Sequence, residues 1–288
     1  MSRPCLPSSL PRRFCLVLAV LGLLTLSSGE RVRAQVANQP ERPKLSQDQR
    51  DLLIDEALDL QLYLQEQPST AEAHLNLANI YWQLGYSGKP IKHYSAALRL
   101  RPNYPEAYYN LGNVFFDQGE LNQAESAYRE ALAQRANYPE AIGGLGNTLL
   151  EMKNYTAAIE QFRQALKLKS TDSDLQYNLC VAELYATRYQ SAIESCGRAL
   201  SMSTDNAYAE NNLGNAYFRS GQLTKAREHY QSALNRKPNL AEAHFNLAAI
   251  DLLDGEVAKA KQRQQALSLL DPQKSYKLSK LIADAPQR

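Results

Sequence analysis

The chain has 288 residues, 44% hydrophobic and 22% charged, a balance that excludes collagen-like, mucin-like and wholly disordered classes. Its formal net charge of +2 is too small to make nucleic acid or an anionic membrane the main partner. Tyrosine is the outlier, with 17 residues against 6 Phe and 1 Trp, and such a share marks half-buried positions with one wet end.

Residues 1–34 read as an export signal. Arg3, Arg12 and Arg13 form a basic n-region, and Phe14 to Leu26 is an unbroken apolar run without charge. A membrane-spanning helix needs about 20 apolar residues. The run is short for a span and suits a cleaved signal, with Val32-Arg33-Ala34 as the cleavage site; an uncleaved anchor is the alternative. No Cys stands at a lipoprotein cleavage position after it. Cleavage would leave 27 basic and 29 acidic residues, with no basic run to serve as a nucleic-acid footprint. The mature protein is then expected in the periplasm or another extracytoplasmic compartment. Residues 35–45 are polar, contain Pro40 and Pro43, and read as a linker.

Ser46-Gln47-Asp48-Gln49 has the spacing of a capping box. It opens an amphipathic run, Leu52 to Leu64, that ends near Pro68. Pro68 stands one full period before Pro102 in the repeat that follows, so residues 46–66 are predicted to form an N-terminal capping helix, the second helix of a vestigial repeat.

From Ala71 onward the sequence repeats without insertion at a period of about 34 residues, in six windows starting at Ala71, Pro105, Pro139, Ser173, Ala207 and Ala241. Position 7 is Leu in all six. Position 8 is small: Ala78, Gly112, Gly146, Cys180, Gly214 and Ala248. Position 20 is Ala in five windows and Pro90 in the first. Position 24 is Tyr94, Tyr128, Phe162, Cys196, Tyr230 and Gln264. Positions 4, 7, 8 and 11 recur at helical spacing, and so do 20, 24 and 27, which predicts two amphipathic helices per window. Gly85, Gly119, Gly221 and Gly255 at position 15 punctuate the pair. Small residues at 8, 20 and 27 let the helices approach, with the position-24 aromatic filling the space beside them. The sixth window is the most degenerate. Residues 275–288 are expected to hold a polar-faced capping helix, Ser275 to Ala283, and a tail.

This pattern resembles the tetratricopeptide repeat family over residues 71–274. The resemblance implies an all-α, right-handed superhelical solenoid whose first helices line a concave groove at positions 2, 5, 6, 9, 12 and 13. Position 6 then supplies Asn76, Asn110, Asn178, Asn212 and Asn246, and position 9 supplies Asn79, Asn113, Asn147 and Asn215. Position 5 adds Tyr109, Tyr177 and Phe245; position 12 adds Trp82, Phe116 and Phe218. A carboxamide both donates and accepts, so such a row can hold the backbone of an extended peptide while aromatics take its side chains. The row is similar to the asparagine-lined repeats of O-GlcNAc transferase, which hold substrate chains. The other reading is that these asparagines serve helix packing.

Repeats that clamp acidic chaperone tails carry Lys or Arg at inward positions. Here position 2 is Glu72, Glu106, Glu140, Asp174, Tyr208 and Glu242, and no basic residue occupies 5, 6 or 9. An acidic tail is therefore not expected as ligand. His74 and His244 share position 4 and His93 and His229 share position 23, repeats apart, so metal ligation is not expected. No HExxH, P-loop, GxSxG or CxxC occurs, and Gly143-Gly144-Leu145-Gly146 reads as close packing in a first helix. Cys180 and Cys196 sit level across one helix pair and are a candidate disulfide or two buried thiols. The expectation is a protein-binding scaffold without cofactor or enzymatic activity, acting on an extended peptide segment. Action through the convex face, self-association or service as accessory subunit of an envelope or glycosyltransferase machine are the alternatives.

Overall fold

The computed structural model describes residues 44–285; the expected export signal and most of the linker lie outside them. Fourteen helices account for these residues, and they pack pairwise as helix-turn-helix hairpins. The chain divides into two compact units between Ala182 and Glu183.

In the first unit α1 (Gln47–Glu66) packs on α2 (Ala71–Gln83). Its capping box is formed: the Ser46 Oγ accepts from the Gln49 N–H at 3.2 Å, and Gln49 Oε1 accepts from the Ser46 N–H at 2.9 Å. Then come the pairs α2 with α3 (Gly88–Leu100), α4 (Pro105–Gln118) with α5 (Leu121–Gln134), and α6 (Pro139–Glu151) with α7 (Tyr155–Leu168). Helix α8 (Ser173–Tyr185) carries the boundary between the units. The second unit holds α9 (Tyr189–Met202), the pair α10 (Ala207–Arg219) and α11 (Leu223–Arg236), and the pair α12 (Ala241–Leu253) and α13 (Val257–Leu270). Helix α14 (Pro272–Asp284) packs on both α13 and α12. It begins before the expected start at Ser275 because Pro272 is favoured in a first turn and the Asp271 carboxylate accepts from the Lys274 N–H at 2.9 Å.

In repeats two, three and five the small-against-aromatic rule is a steric fit of glycine and ring. A Cβ on Gly112 would stand 2.8 Å from the Tyr128 ring; one on Gly146, 2.7 Å from Phe162; one on Gly214, 2.6 Å from Tyr230. No side chain tolerates such distances, so in these three repeats glycine is what admits the ring as it is placed; repeat one seats Tyr94 beside Ala78.

Each first helix ends on a left-handed residue at position 15, and the amide after it closes the turn onto the carbonyl five residues back. Glu120 N–H to Phe115 O (2.8 Å) and Gln222 N–H to Tyr217 O (2.9 Å) are examples. Four of these residues are the glycines; the other two are Lys153 (φ 63°) and Thr187 (φ 58°), which carry a Cβ in a region that disfavours one.

Candidate functional site

The asparagine row is already engaged within the protein. At position 9 the carboxamide oxygen accepts from the position-24 phenol of its own repeat: Tyr94 to Asn79 (2.5 Å), Tyr128 to Asn113 (2.7 Å) and Tyr230 to Asn215 (2.9 Å). Burial holds the phenols of Tyr94, Tyr128 and Tyr230 above their ordinary pKa, so they remain protonated donors. The position-6 amide of the next repeat also donates to the position-9 oxygen: Asn110 to Asn79 (3.0 Å), Asn178 to Asn147 (3.1 Å) and Asn246 to Asn215 (2.9 Å). These rungs tie repeat one to two, three to four and five to six. Between repeats two and three the rung cannot form, because position 6 is Gly144.

The expected lining residues fall into two sets. Asn76 is exposed, and Asn79, Trp82, Tyr109, Asn110, Asn113 and Asn215 are partly exposed. Phe116, Asn147, Tyr177, Asn178, Asn212, Phe218, Phe245 and Asn246 are buried. Phe218 and Phe245 belong to the core of the second unit, packed with Tyr230 and Leu247. They fill interior volume there, so in that unit the aromatic track expected from positions 5 and 12 does not face solvent.

In the first unit several of the expected residues meet around a hollow of about 300 Å³. Tyr109, Asn113, Phe116, Asn147 and Asn178 line it, and with them Gly143 and Gly144, at groove positions 5 and 6 of repeat three, and Tyr128 and Leu175, which lie outside the groove positions. The hollow exists because repeat three has Gly143 and Gly144 where repeat two has Tyr109 and Asn110 and repeat four has Tyr177 and Asn178. The two glycines differ. A Cβ on Gly144 would lie 2.7 Å from the Tyr128 ring, whereas one on Gly143 would meet only a terminal methyl of Leu175, at 3.1 Å. Tyr109 stacks obliquely between Tyr128 and Tyr138, with centroids at 6.1 and 5.2 Å.

The rim carries Glu140, Lys169 and Asp172. Lys169 donates to Glu140 at 2.5 Å. Partial burial works against ionisation of Glu140, but the Lys169 hydrogen bond and the helix-start amide outweigh it and hold the carboxyl below its ordinary range. The same bond lifts the Lys169 ammonium. This pairing is itself periodic: position 31 meets position 2, as Arg101 with Glu72 and Arg135 with Glu106. The position-2 carboxylates of the first three repeats are therefore neutralised. The case against an acidic ligand is then carried by the lack of basic residues at 5, 6 and 9.

Two histidines that the repeat positions kept apart do meet. His74 and His93, on facing helices of repeat one, place their Nδ1 atoms 3.0 Å apart. His74 Nε2 faces the Pro68 carbonyl at 3.2 Å and so carries a proton, which leaves its Nδ1 to accept from His93. Burial, then His74, Lys92 and Lys89, lower the His93 pKa to about 4. Among the described residues no group of three or more His, Cys, Asp or Glu is arranged to hold a metal ion. Cys180 and Cys196 are each fully buried. Among the described residues, no helix is long and apolar enough to cross a membrane.

Comparison with known proteins agrees with this architecture. Models of the tetratricopeptide repeat match residues 71–104 and 115–180, and a TPR repeat model matches 90–119 and 214–252. The chain is a tetratricopeptide repeat protein. No curated protein matches the chain. Among solved structures, Cut9–Hcn1 of the APC/C is 21% identical at a TM-score of 0.65, covering 83% of this chain and 46% of that one. Pseudomonas aeruginosa PilF is 20% identical at 0.64, covering 74% and 97%. YrrB, described as a TPR protein with an unusual peptide-binding site, is 20% identical at 0.59, covering 65% and 96%. At these identities the likeness is one of fold.

Proposed function

We propose that this protein is a non-enzymatic scaffold that binds an extended polypeptide segment of a partner along its first helices, outside the cytoplasm. The hollow at Gly143 and Gly144 would seat one apolar or aromatic side chain of that segment. The observation that carries the reading is the hollow itself. It is a concavity with apolar walls from Phe116, Tyr128 and Leu175, and it has carboxamides beside it from Asn113, Asn147 and Asn178. A few placed polar groups in an apolar concavity are what a selective site requires. Asn113 and Asn147 have their oxygens occupied within the protein and the Asn113 amide also reaches the Tyr109 phenol, so their remaining amide N–H groups are what they can offer a peptide carbonyl. The extracytoplasmic setting rests on the sequence of residues 1–34.

Filling the hollow tests this without unfolding the helix. Gly143→Leu occupies the space and removes a mid-helix glycine, which itself costs about 1 kcal/mol relative to alanine. An array of randomised short peptides is probed with both proteins. Peptides with a large apolar residue should bind the native protein and lose at least tenfold in affinity to the variant. Equal binding by both would remove the hollow from the function.

A further inference from the structure

Terminal repeats of a solenoid ordinarily turn a polar face outward. Among the described residues, the first and last helices carry much of the exposed apolar surface. Of fourteen exposed large hydrophobic side chains among the described residues, five lie on α1 and three on α13 and α14. Helix α1 turns its Ala57 face to α2, packed with Leu53, Leu60 and Leu64. Its other face shows Ile54 (43% exposed), Leu58 (52%) and Leu62 (60%) at four-residue spacing. Asp51, Asp55 and Asp59, all exposed, run beside them at the same spacing. Across α1 there are six carboxylates against one arginine.

The last helix has the opposite character. Its outward face shows Tyr276, 63% exposed, with Lys277 and Lys280 around a shallow apolar concavity that also includes Pro272 and Gln273. Lys280 lies 4.4 Å above the Tyr276 ring. Another lysine of the helix, Lys274, points inward and is held by Glu242 and Asp271. Nearby in sequence, Leu269 is 89% exposed.

We infer that copies of this chain associate end to end, α1 of one copy seating its Ile54–Leu58–Leu62 stripe on the Tyr276 face of α14 of another, with the aspartates opposite Lys277 and Lys280. The charges select this pairing. Two α1 helices would oppose six carboxylates to six, and two α14 faces would oppose lysine to lysine; only the mixed pair joins opposite charges as well as apolar surface. Such a contact uses different surfaces on the two partners, so it propagates into chains or rings of copies rather than stopping at a dimer. One helix against another buries less than the roughly 800 Å² per partner of a standard stable interface. The association is therefore weak, concentration-dependent and sensitive to salt.

The test is sedimentation velocity on the intact protein at rising concentration, with two charge-reversed variants, D51K/D55K/D59K and K277D/K280D. All five positions are on outward faces, and circular dichroism checks that helicity is unchanged. The native protein should gain mass with concentration and lose it in high salt. Each variant alone should stay monomeric, and an equimolar mixture of the two should assemble again, because the reversed ends then meet opposite charge. A native protein that is monomeric throughout, association that survives either reversal, or a mixture that stays monomeric overturns the inference. Peptide binding in the hollow is unaffected by these outcomes, and Gly143→Leu leaves the ends intact, so the two readings fail separately.

Discussion

Repeat two places Tyr128 at position 24 and Tyr109 and Asn110 at positions 5 and 6; repeat three places Phe162, Gly143 and Gly144 there. The backbone of the two repeats follows the same plan. In repeat two the aromatic reaches Asn113 with its hydroxyl, whereas in repeat three the aromatic has no hydroxyl and Asn147 receives the Asn178 amide instead. The substitutions that remove hydrogen-bonding groups from repeat three include those that open the hollow. Where the repeat keeps its pattern the side chains are consumed in holding neighbouring helices together. Where it lapses, surface becomes available for something else.

The largest expected effect is on the shared ring. Tyr128 is fully buried and packs against both Gly112 and Gly144, so Tyr128→Ala should cost about 3–5 kcal/mol in urea denaturation. A loss under about 1 kcal/mol would mean the ring is not the keystone of both repeats. Next comes the pair of glycines. Gly144→Ala drives a Cβ into the Tyr128 ring and should cost about 1–3 kcal/mol, whereas Gly143→Ala meets one movable methyl and should leave the melting curve nearly in place. If both behave alike, the hollow is not the distinguishing feature.

Exchange of the hydroxyls sharpens the comparison further. Tyr128→Phe removes a donor from Asn113 and should lose about 1 kcal/mol; Phe162→Tyr puts a phenol where repeats one, two and five reach Asn, and should gain a comparable amount. A loss in the second variant would show that repeat three has closed over the space a hydroxyl needs. The turn residues extend the contrast: Lys153→Gly relieves a left-handed Cβ and should stabilise by about 1 kcal/mol, while Gly119→Ala in repeat two should destabilise by as much, both read from thermal melts.

The smallest effect is expected from pH, because the His93 ring is only half-buried. Unfolded, it takes a proton near its ordinary 6.5; folded, it resists until about 4. The unfolded state therefore binds more protons between those values, so stability is level above pH 6.5, falls as pH drops toward 4, and levels again below. A His93→Gln variant should flatten that slope in a thermal melt followed across the range.

Much of this was legible in the sequence, and the part that was not has a common physical cause. A constant period, with small residues at position 8 and aromatics at 24, predicts the helix pairs and their contact, since both follow from spacing along one chain. What spacing does not show is register across the pair. Glu72 and Arg101 stand on different helices, as do His74 and His93. Nothing in the composition joins them until the two helices are laid side by side. Comparing histidines by shared position separated the pair that touches. The asparagines stand out in the sequence by their shared positions, but their partners do not, because a carboxamide near the surface looks the same whether it serves a neighbour or a ligand. The left-handed turns at Lys153 and Thr187 carry no glycine to announce them. The apolar outer stripe of α1 is masked in the sequence by the equally apolar inner one.

The rungs between asparagines have a consequence for how the array comes apart. Asn79–Asn110, Asn147–Asn178 and Asn215–Asn246 each couple two neighbouring repeats. In a one-dimensional chain of units with nearest-neighbour coupling, stability is set by the junctions as much as by the units. Removing one rung should therefore loosen one junction: Asn110→Ala should speed solvent exchange of backbone amides in repeats one and two and leave those of repeats five and six unchanged.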